Sequence, residues 1–275
     1  MNDFSKFGEY MFKITTLIEN NSFDKDLSSE KGLSVLIDNS KDKIIFDYGL
    51  SNKYWDNAIK LGFNPSSFNF GIISHGHNDH CGGARMMLEK NMFHTIYANN
   101  KIFNRKYVFR DNEKKYIGLS ENLFEAERRF IFVDDVTEIC DGIFAITNLV
   151  DGRTESQYIK EDDSVDDFDD ETIVVLKGES SLHVITGCCH KGLVSTLKRV
   201  KAVFPKDKID TVIGGLHIHK ADHDFLEETV KTIEENNVKT LIVGHCTGSN
   251  GLSYLSEHTN CNVNLLYTGS TYSLS

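Results

Sequence analysis

Proline occurs twice and tryptophan once in 275 residues, and neither scarcity bears on function. Other absences do. No run of about 18 apolar residues occurs, which excludes a membrane-spanning helix as an expectation. The opening MNDFSKFGEYMFKITTLIENNSF lacks the basic n-region and unbroken apolar h-region of a signal peptide, so a cytoplasmic location is expected. The six cysteines, Cys81, Cys140, Cys188, Cys189, Cys246 and Cys261, form no CxxC pair, and adjacent Cys188-Cys189 suits no ordinary bridge. A disulfide scaffold is therefore not expected. Positive charge is in deficit, with Lys+Arg 30 against Asp+Glu 41 and a net charge of -11. That is the wrong sign for a surface that neutralises nucleic-acid phosphates, so neither nucleic acid nor membrane is an expected partner.

What is present is an ordinary globular composition, 40% hydrophobic and 26% charged, in a length that one large two-sheet domain can occupy. Short β-branched and aromatic runs recur: FKITTLI (12–18), LSVLI (33–37), KIIFDYG (43–49), FGIIS (70–74), TIYA (95–98), FIFV (130–133) and GIFAIT (142–147). YWDNAIKLG (54–62) reads as a crossover helix, and 83–91 as helical. The second half alternates TIVVL (172–176), LHVITG (182–187), a helix at 192–203, DTVIGG (210–215), a helix near 222–236 and TLIVGH (240–245). The expectation is an α/β fold, two mixed sheets packed face to face with helices on the outer faces, in a single domain over 1–275 with pseudo-halves meeting near residue 140.

Two charged segments stand out. EDDSVDDFDDE (161–171) carries eight acids in eleven residues and reads as a solvated loop. KIFNRKYVFRDNEKK (101–115) carries six Lys/Arg, and reads either as a solvated connection or as a lid whose Arg105, Lys106 or Lys115 meets a substrate phosphate. Its Phe103, Tyr107 and Phe109 would stack on a flat ring or pack the lid.

The most informative stretch is GIISHGHNDHCGGA, where an apolar strand runs into four metal-ligating residues within six positions. Alternate residues of an extended segment share a side, so His75 and His77 can share one metal while Asp79 and His80 face an adjacent one. Three further motifs end apolar strands: TGCCHKG (186–192), GGLHIH (214–219) and VGHCTG (244–249). They offer His190 and His245 as ligands and His217 as an active-site residue. Cys188 reads equally as a thiolate ligand or as a small packed hydrophobe. His183 reads as a strand histidine, and His94, His219, His223 and His258 as residues outside the site.

HGHNDH is the HxHxDH signature of the metallo-β-lactamase superfamily, and the chain resembles it. Across nearly its full length, through GLSVLI, KIIFDYG, DNAIKLG, ISHGHNDHCGG, YIG (116–118), DFDDE, TGCCHKGLV, VIGGLHI, VGHCTG and LLYTGS, it is similar to the 7,8-dihydropterin-6-yl-methyl-4-(β-D-ribofuranosyl)aminobenzene 5′-phosphate synthase family. The resemblance implies an αβ/βα sandwich with a binuclear site at one edge, in which His75, His77, Asp79 and His80 are ligands. It also implies that Asp47 supports the site from behind. Where many members carry a bridging TGD aspartate, this chain has TGCCH. Cys188 occupies that place, His190 would supply the missing imidazole, and His245 the late histidine of the second ion.

Such a site would hold two divalent ions, zinc being favoured by the imidazole-rich set, with iron or manganese fitting the same ligands. The expected function is metal-dependent, hydrolase-like chemistry on a small phosphorylated substrate through a metal-activated water, with Asp79 and His217 as catalytic groups. The alternatives are a phosphodiesterase or phosphatase acting on another phosphorylated heterocycle, and a metal-containing ligand sensor without turnover. A homodimer is compatible with the chain.

Overall fold

The apolar runs are continuous because both faces of the strands they form are covered. A computed structural model describes residues 12–90, 95–150 and 152–275, so His94 and the end of the 83–91 stretch lie outside the described residues. Numbered in chain order, the first sheet contains β1 (Phe12–Ile18), β2 (Ser34–Asp38), β3 (Lys43–Phe46), β4 (Phe70–Ile72), β5 (Thr95–Ala98), β8 (Phe130–Phe132) and β17 (Thr271–Leu274). The second contains β9 (Val136–Cys140), β10 (Ile143–Ile146), β12 (Ile173–Lys177), β13 (Ser181–Thr186), β14 (Lys208–Gly214), β15 (Thr240–Val243) and β16 (Asn262–Leu265). A third, small sheet joins β6 (Lys106–Arg110), β7 (Glu113–Tyr116) and β11 (Tyr158–Lys160).

The large sheets run β17-β1-β2-β3-β4-β5-β8 and β16-β15-β14-β13-β12-β10-β9. Each is antiparallel at one end and parallel at the other: pairing is antiparallel from β17 to β3 and from β13 to β9, and parallel in the remainder. Pleating sends Ile44, Val174, Ile185, Ile213 and Ile242 into the core between the sheets. Their chain neighbours Ile45, Val175, Val184, Val212 and Leu241 face the outer layers. There α1 (Lys53–Lys60), α3 (Arg85–Glu89) and α4 (Glu121–Glu125) cover the first sheet through Tyr54, Ala58, Met87 and Leu123. On the second sheet, α5 (Leu193–Val203), α6 (His223–Glu235) and α7 (Gly248–His258) bury Leu197, Val200, Ile233 and Leu255. This is the sandwich expected from the sequence, with mixed sheets inside and helices outside.

Two expectations need correction. Residues 101–115 are not a loop: a short turn of 3₁₀-helix leads into the β6–β7 hairpin, whose turn residues Asp111 and Asn112 both have positive φ, +55° and +61°. Asp and Asn tolerate that conformation, which matches the twist of a tight hairpin. The acidic run 161–171 is solvated only at its start, since Asp166, Phe168, Asp170 and Glu171 are buried. Those carboxylates accept hydrogen bonds from a buried cation and from several backbone amides. Among the described residues no helix is long and apolar enough to cross a membrane.

Candidate metal centre

Most of the motif residues sit just beyond the C-terminal ends of β3, β4, β13, β14 and β15, where parallel strands leave their following loops on one edge of the sandwich. Asp47 follows β3, and His75 to His77 follow β4. His77 is the N-terminal cap of α2 (Asn78–Cys81), whose first turn carries Asp79 and His80. Cys188 and His190 follow β13, His217 follows β14 and His245 follows β15. All nine of these side chains are buried.

Two sets of donors result. The ligand atoms of His75, His77 and His190 lie within 4.8 Å of one another, and so do those of Asp79, His80 and His245. The Cys188 sulfur lies 3.1 Å from His80 Nε2 and 3.4 Å from His245 Nε2 in the second set, and within 4.8 Å of ligand atoms of His75 and His190 in the first. Outward-facing ring nitrogens are held by the protein. His80 Nδ1 meets Asp47 Oδ2 at 2.6 Å, His245 Nδ1 meets Asn20 Oδ1 at 3.0 Å, and His75 Nδ1 meets Ser74 Oγ at 2.8 Å. With the proton placed on Nδ1 by these acceptors, each Nε2 presents a lone pair inward.

Beyond the Cys188 thiol, those inward atoms have no donor to bond to. His80 Nε2 and His245 Nε2 face each other at 3.1 Å, and the Nε2 atoms of His75, His77 and His190 have no hydrogen-bond partner. Buried lone pairs converging without a donor are costly, and a shared cation relieves them. The donor set therefore fits a metal centre. The electrostatics agree, because burial and crowding by neighbouring imidazoles lower the pKa values of His75 and His190, and burial with nearby Lys106 lowers that of His77, keeping the neutral form that ligates. Burial alone would raise the Asp79 carboxyl, but His80, His245 and Lys31 hold it well below the usual carboxylate range. At His80, burial is outweighed by Asp47, which raises the pKa and strengthens the ring as a donor.

The backbone is bent to make this arrangement. Asp47, Phe168, Cys189, His217 and His245 all have positive φ, between +49° and +60°, a concentration of unfavourable conformers at one place. Gly76 is required between His75 and His77: a Cβ there would lie 2.7 Å from the Ile102 carbonyl oxygen and 3.1 Å from Lys106 Cε. Gly76→Ala should consequently lose about 1–3 kcal/mol of stability by overpacking, measured by denaturant unfolding of metal-free protein.

A cavity of about 350 Å³ opens over the donors. His217 lines it, its ring 4.2 Å from that of His190 and its Nε2 3.0 Å from Glu155 Oε1. The Glu155 contact is an ion-pair approach rather than an aligned hydrogen bond. Burial disfavours protonation of His217, yet Cys246 and Glu155 push its pKa up to about 10.

Of the basic residues expected to meet substrate, none lines the cavity. Arg105 pairs with Glu121 at 2.8 Å, and Lys115 lies 3.3 Å from Glu113 on the exposed hairpin. Lys106 is wholly buried between Asp166 and Asp170, because the pleat of β6 turns it inward. The cavity instead takes its cations from Lys31 and Arg110, and an aromatic wall from Tyr158; His219, expected outside the site, lines it as well. Cys246, Asn20 and Glu171 were not legible as site residues either. Glu171 receives the amides of His190 and Lys191 at 2.7 and 2.9 Å, and no local pattern announces that bond across 19 positions.

A family model described as the metallo-beta-lactamase superfamily matches residues 30–245. The chain belongs to this superfamily. The 7,8-dihydropterin-6-methyl-4-(beta-D-ribofuranosyl)-aminobenzene-5'-phosphate synthase of Methanocaldococcus jannaschii is 30% identical to it over 258 residues, 86% of this chain and 87% of the relative. A second, uncharacterized protein of that organism is 26% identical over 261 residues, covering 90% of this chain and 95% of its own length. Among solved structures, a metal-dependent hydrolase of the beta-lactamase superfamily superposes with a TM-score of 0.83 at 28% identity, over 96% of this chain and 99% of that one. A metallo-beta-lactamase fold protein of Bacillus subtilis, with a TM-score of 0.61 at 12% identity over 96% of this chain and 100% of that one, shares the fold alone. The resemblance expected from the sequence motifs is borne out at the level of superfamily and family.

Proposed function

We propose that this chain is a binuclear metal-dependent enzyme with hydrolase-type chemistry on a small phosphorylated molecule. The observation that carries the proposal is the pair of donor sets on either side of Cys188, with lone pairs aimed inward beneath an open cavity. His75, His77 and His190 would hold one ion, and Asp79, His80 and His245 the other. The imidazole-rich set favours zinc, with iron or manganese as competitors. Ions held there would supply Lewis-acid chemistry, lowering the pKa of a water towards neutrality and polarising an oxygen under attack.

The chain supplies the rest. Asp79, held ionised, offers a carboxylate oxygen to orient that water, while Lys31 sits 2.9 Å from its Oδ2. His217, protonated beside Glu155, is placed on the cavity wall to give a proton to a leaving group. Val108, Ile117 and Tyr158 form a wall suited to a flat ring. Lys31 and Arg110 supply charge for a phosphate, in place of Arg105, Lys106 and Lys115. The name of the M. jannaschii relative includes a 5'-phosphate, in keeping with this reading.

The test is a turnover screen on metal-loaded protein with phosphorylated pterins, phosphomonoesters and phosphodiesters. Arg110→Ala should raise KM for the best phosphorylated substrate about tenfold, the loss of one charged hydrogen bond, with kcat little changed. An unchanged KM would remove Arg110 from the phosphate site. Turnover of a phosphodiester but no pterin would select the phosphodiesterase alternative. A pterin or nucleotide that raises thermal stability without being consumed would instead mark a sensor.

A further inference from the structure

Lys106 is one of the largest fully buried side chains of the molecule, and it is charged. Its Nζ lies 2.7 Å from Asp166 Oδ2 and 3.0 Å from Asp170 Oδ1, with all three side chains at 1% exposure or less. Among the described residues it is the one cation within ion-pair distance of either carboxylate. A buried cation facing two carboxylates costs desolvation that simple burial of apolar residues would avoid, so its presence calls for a reason beyond stability.

The partners of the two aspartates indicate one. Asp170 Oδ2 accepts the amide of Gly76 at 2.7 Å, and Gly76 separates His75 from His77. Asp166 Oδ1 accepts the amide of Phe168 at 2.9 Å, and the Phe168 ring lies flat on the His190 imidazole, centroids 4.0 Å apart and planes 4° apart. The Lys106 ammonium also stands 5.8 Å from the Phe168 ring centre, and its Cε backs the Gly76 turn. Thus one ammonium group, brought in by the small sheet, fixes two carboxylates that in turn reach all three histidines of one donor set. No link of this network touches Asp79 or His245.

We infer that Lys106 is a positioning residue that sets the geometry of the His75, His77 and His190 set through Asp166 and Asp170, and that it controls affinity for one ion of the pair and not the other. The inference rests on the two-ion reading of the site. Without the ammonium, two like-charged carboxylates remain in a dry space, and the Asp170 oxygen that holds Gly76 and the turn that seats Phe168 are free to relax. Orienting residues behind metal ligands are worth 10- to 100-fold in metal affinity.

The experiment is titration of metal-free protein with cobalt(II), followed by competition against a chromophoric chelator and by the visible absorption of the bound ion. Wild-type protein should take up two ions with two resolvable affinities. Lys106→Met should weaken one of them at least tenfold and shift its absorption while leaving the other, and the weakened ion should be the one absent from His77→Ala. Asp170→Asn, which keeps the shape and an oxygen for the Gly76 amide, should weaken the same ion by a smaller factor. It decides the matter if Lys106→Met does not fold. Lys160→Met, which breaks only the partly exposed pair with Asp167, should change neither ion. Equal weakening of both ions, or unchanged affinities in folded Lys106→Met, would overturn the role of Lys106 while leaving the two-ion site intact. Wild-type protein that takes up fewer than two ions would overturn the two-ion reading and this inference with it.

Discussion

His77→Ala should reduce bound metal from two ions per chain to one and lower turnover by on the order of 10³-fold, since the lost charge stabilisation amounts to several kcal/mol. His77 Nε2 faces inward with no hydrogen-bond partner, so its removal breaks no bond within the metal-free protein. It leaves two imidazoles, His75 and His190, where an ion needs three protein donors. His190→Ala should remove the same ion, and His245→Ala the other. The stability of metal-free His77→Ala should stay close to that of the metal-free parent, whereas the stabilisation gained on adding zinc should fall. Elemental analysis of protein purified without chelator, together with thermal melts with and without zinc, reads both effects. Unchanged metal content in folded His77→Ala would exclude it as a ligand. A wild-type protein that takes up no zinc, manganese or iron on reconstitution would remove the catalytic proposal and leave the fold.

The opposite pattern is expected at Asp47, where the metal-free protein itself should suffer. Asp47 is fully buried and satisfies three donors: Oδ1 accepts the Ser74 amide at 2.7 Å, while Oδ2 accepts Ser74 Oγ at 2.7 Å and His80 Nδ1 at 2.6 Å. Asp47→Ala strands all three in a dry interior. The expected loss is about 3–5 kcal/mol, the range for removing one partner of a buried charged pair. For a chain of this size that corresponds to a fall in Tm on the order of 10 °C. Asp47→Asn, which can still accept the Ser74 amide, should lose less stability. Both should bind the ion at His80 more weakly, because the ring loses the acceptor that fixes its tautomer. Calorimetry of the metal-free proteins separates the stability effect from the metal effect. A Tm within 2–3 °C of the parent for Asp47→Ala would mean that water replaces the carboxylate.

The two variants differ because of how each residue is held, and the same distinction runs through what the sequence made legible. Strand identity was legible where β-branched and apolar residues run unbroken between turn residues, as at Ile44-Ile45 and Val212-Ile213, which are buried on opposite faces, since the make-up of a short run is a local property. The cluster from His75 to His80 was legible for the same reason, its donors lying within six positions of one another. The strand-end histidines His190, His217 and His245 were found because each follows an apolar run and lies near glycine. Strands such as β9 and β16 carry too little apolar contrast to announce themselves, and β17 acquires its place only by pairing Leu274 with Phe12 across the whole chain.

Charge was where local reading failed. Six basic residues in 101–115 and eight acidic ones in 161–171 look alike as solvated segments. Neighbours a few residues apart were enough to show the sandwich, the strand-end positions of the candidate metal donors and the HGHNDH cluster. It took the folded chain to show that Lys106 is a buried strut and not a phosphate contact, that Asp170 holds Gly76, and that Lys31 and Arg110 face the cavity. Those contacts join residues such as Lys106 and Asp166, 60 positions apart, and Gly76 and Asp170, 94 apart. A charge's role is set by what burial brings against it, and burial is a property of the folded chain as a whole.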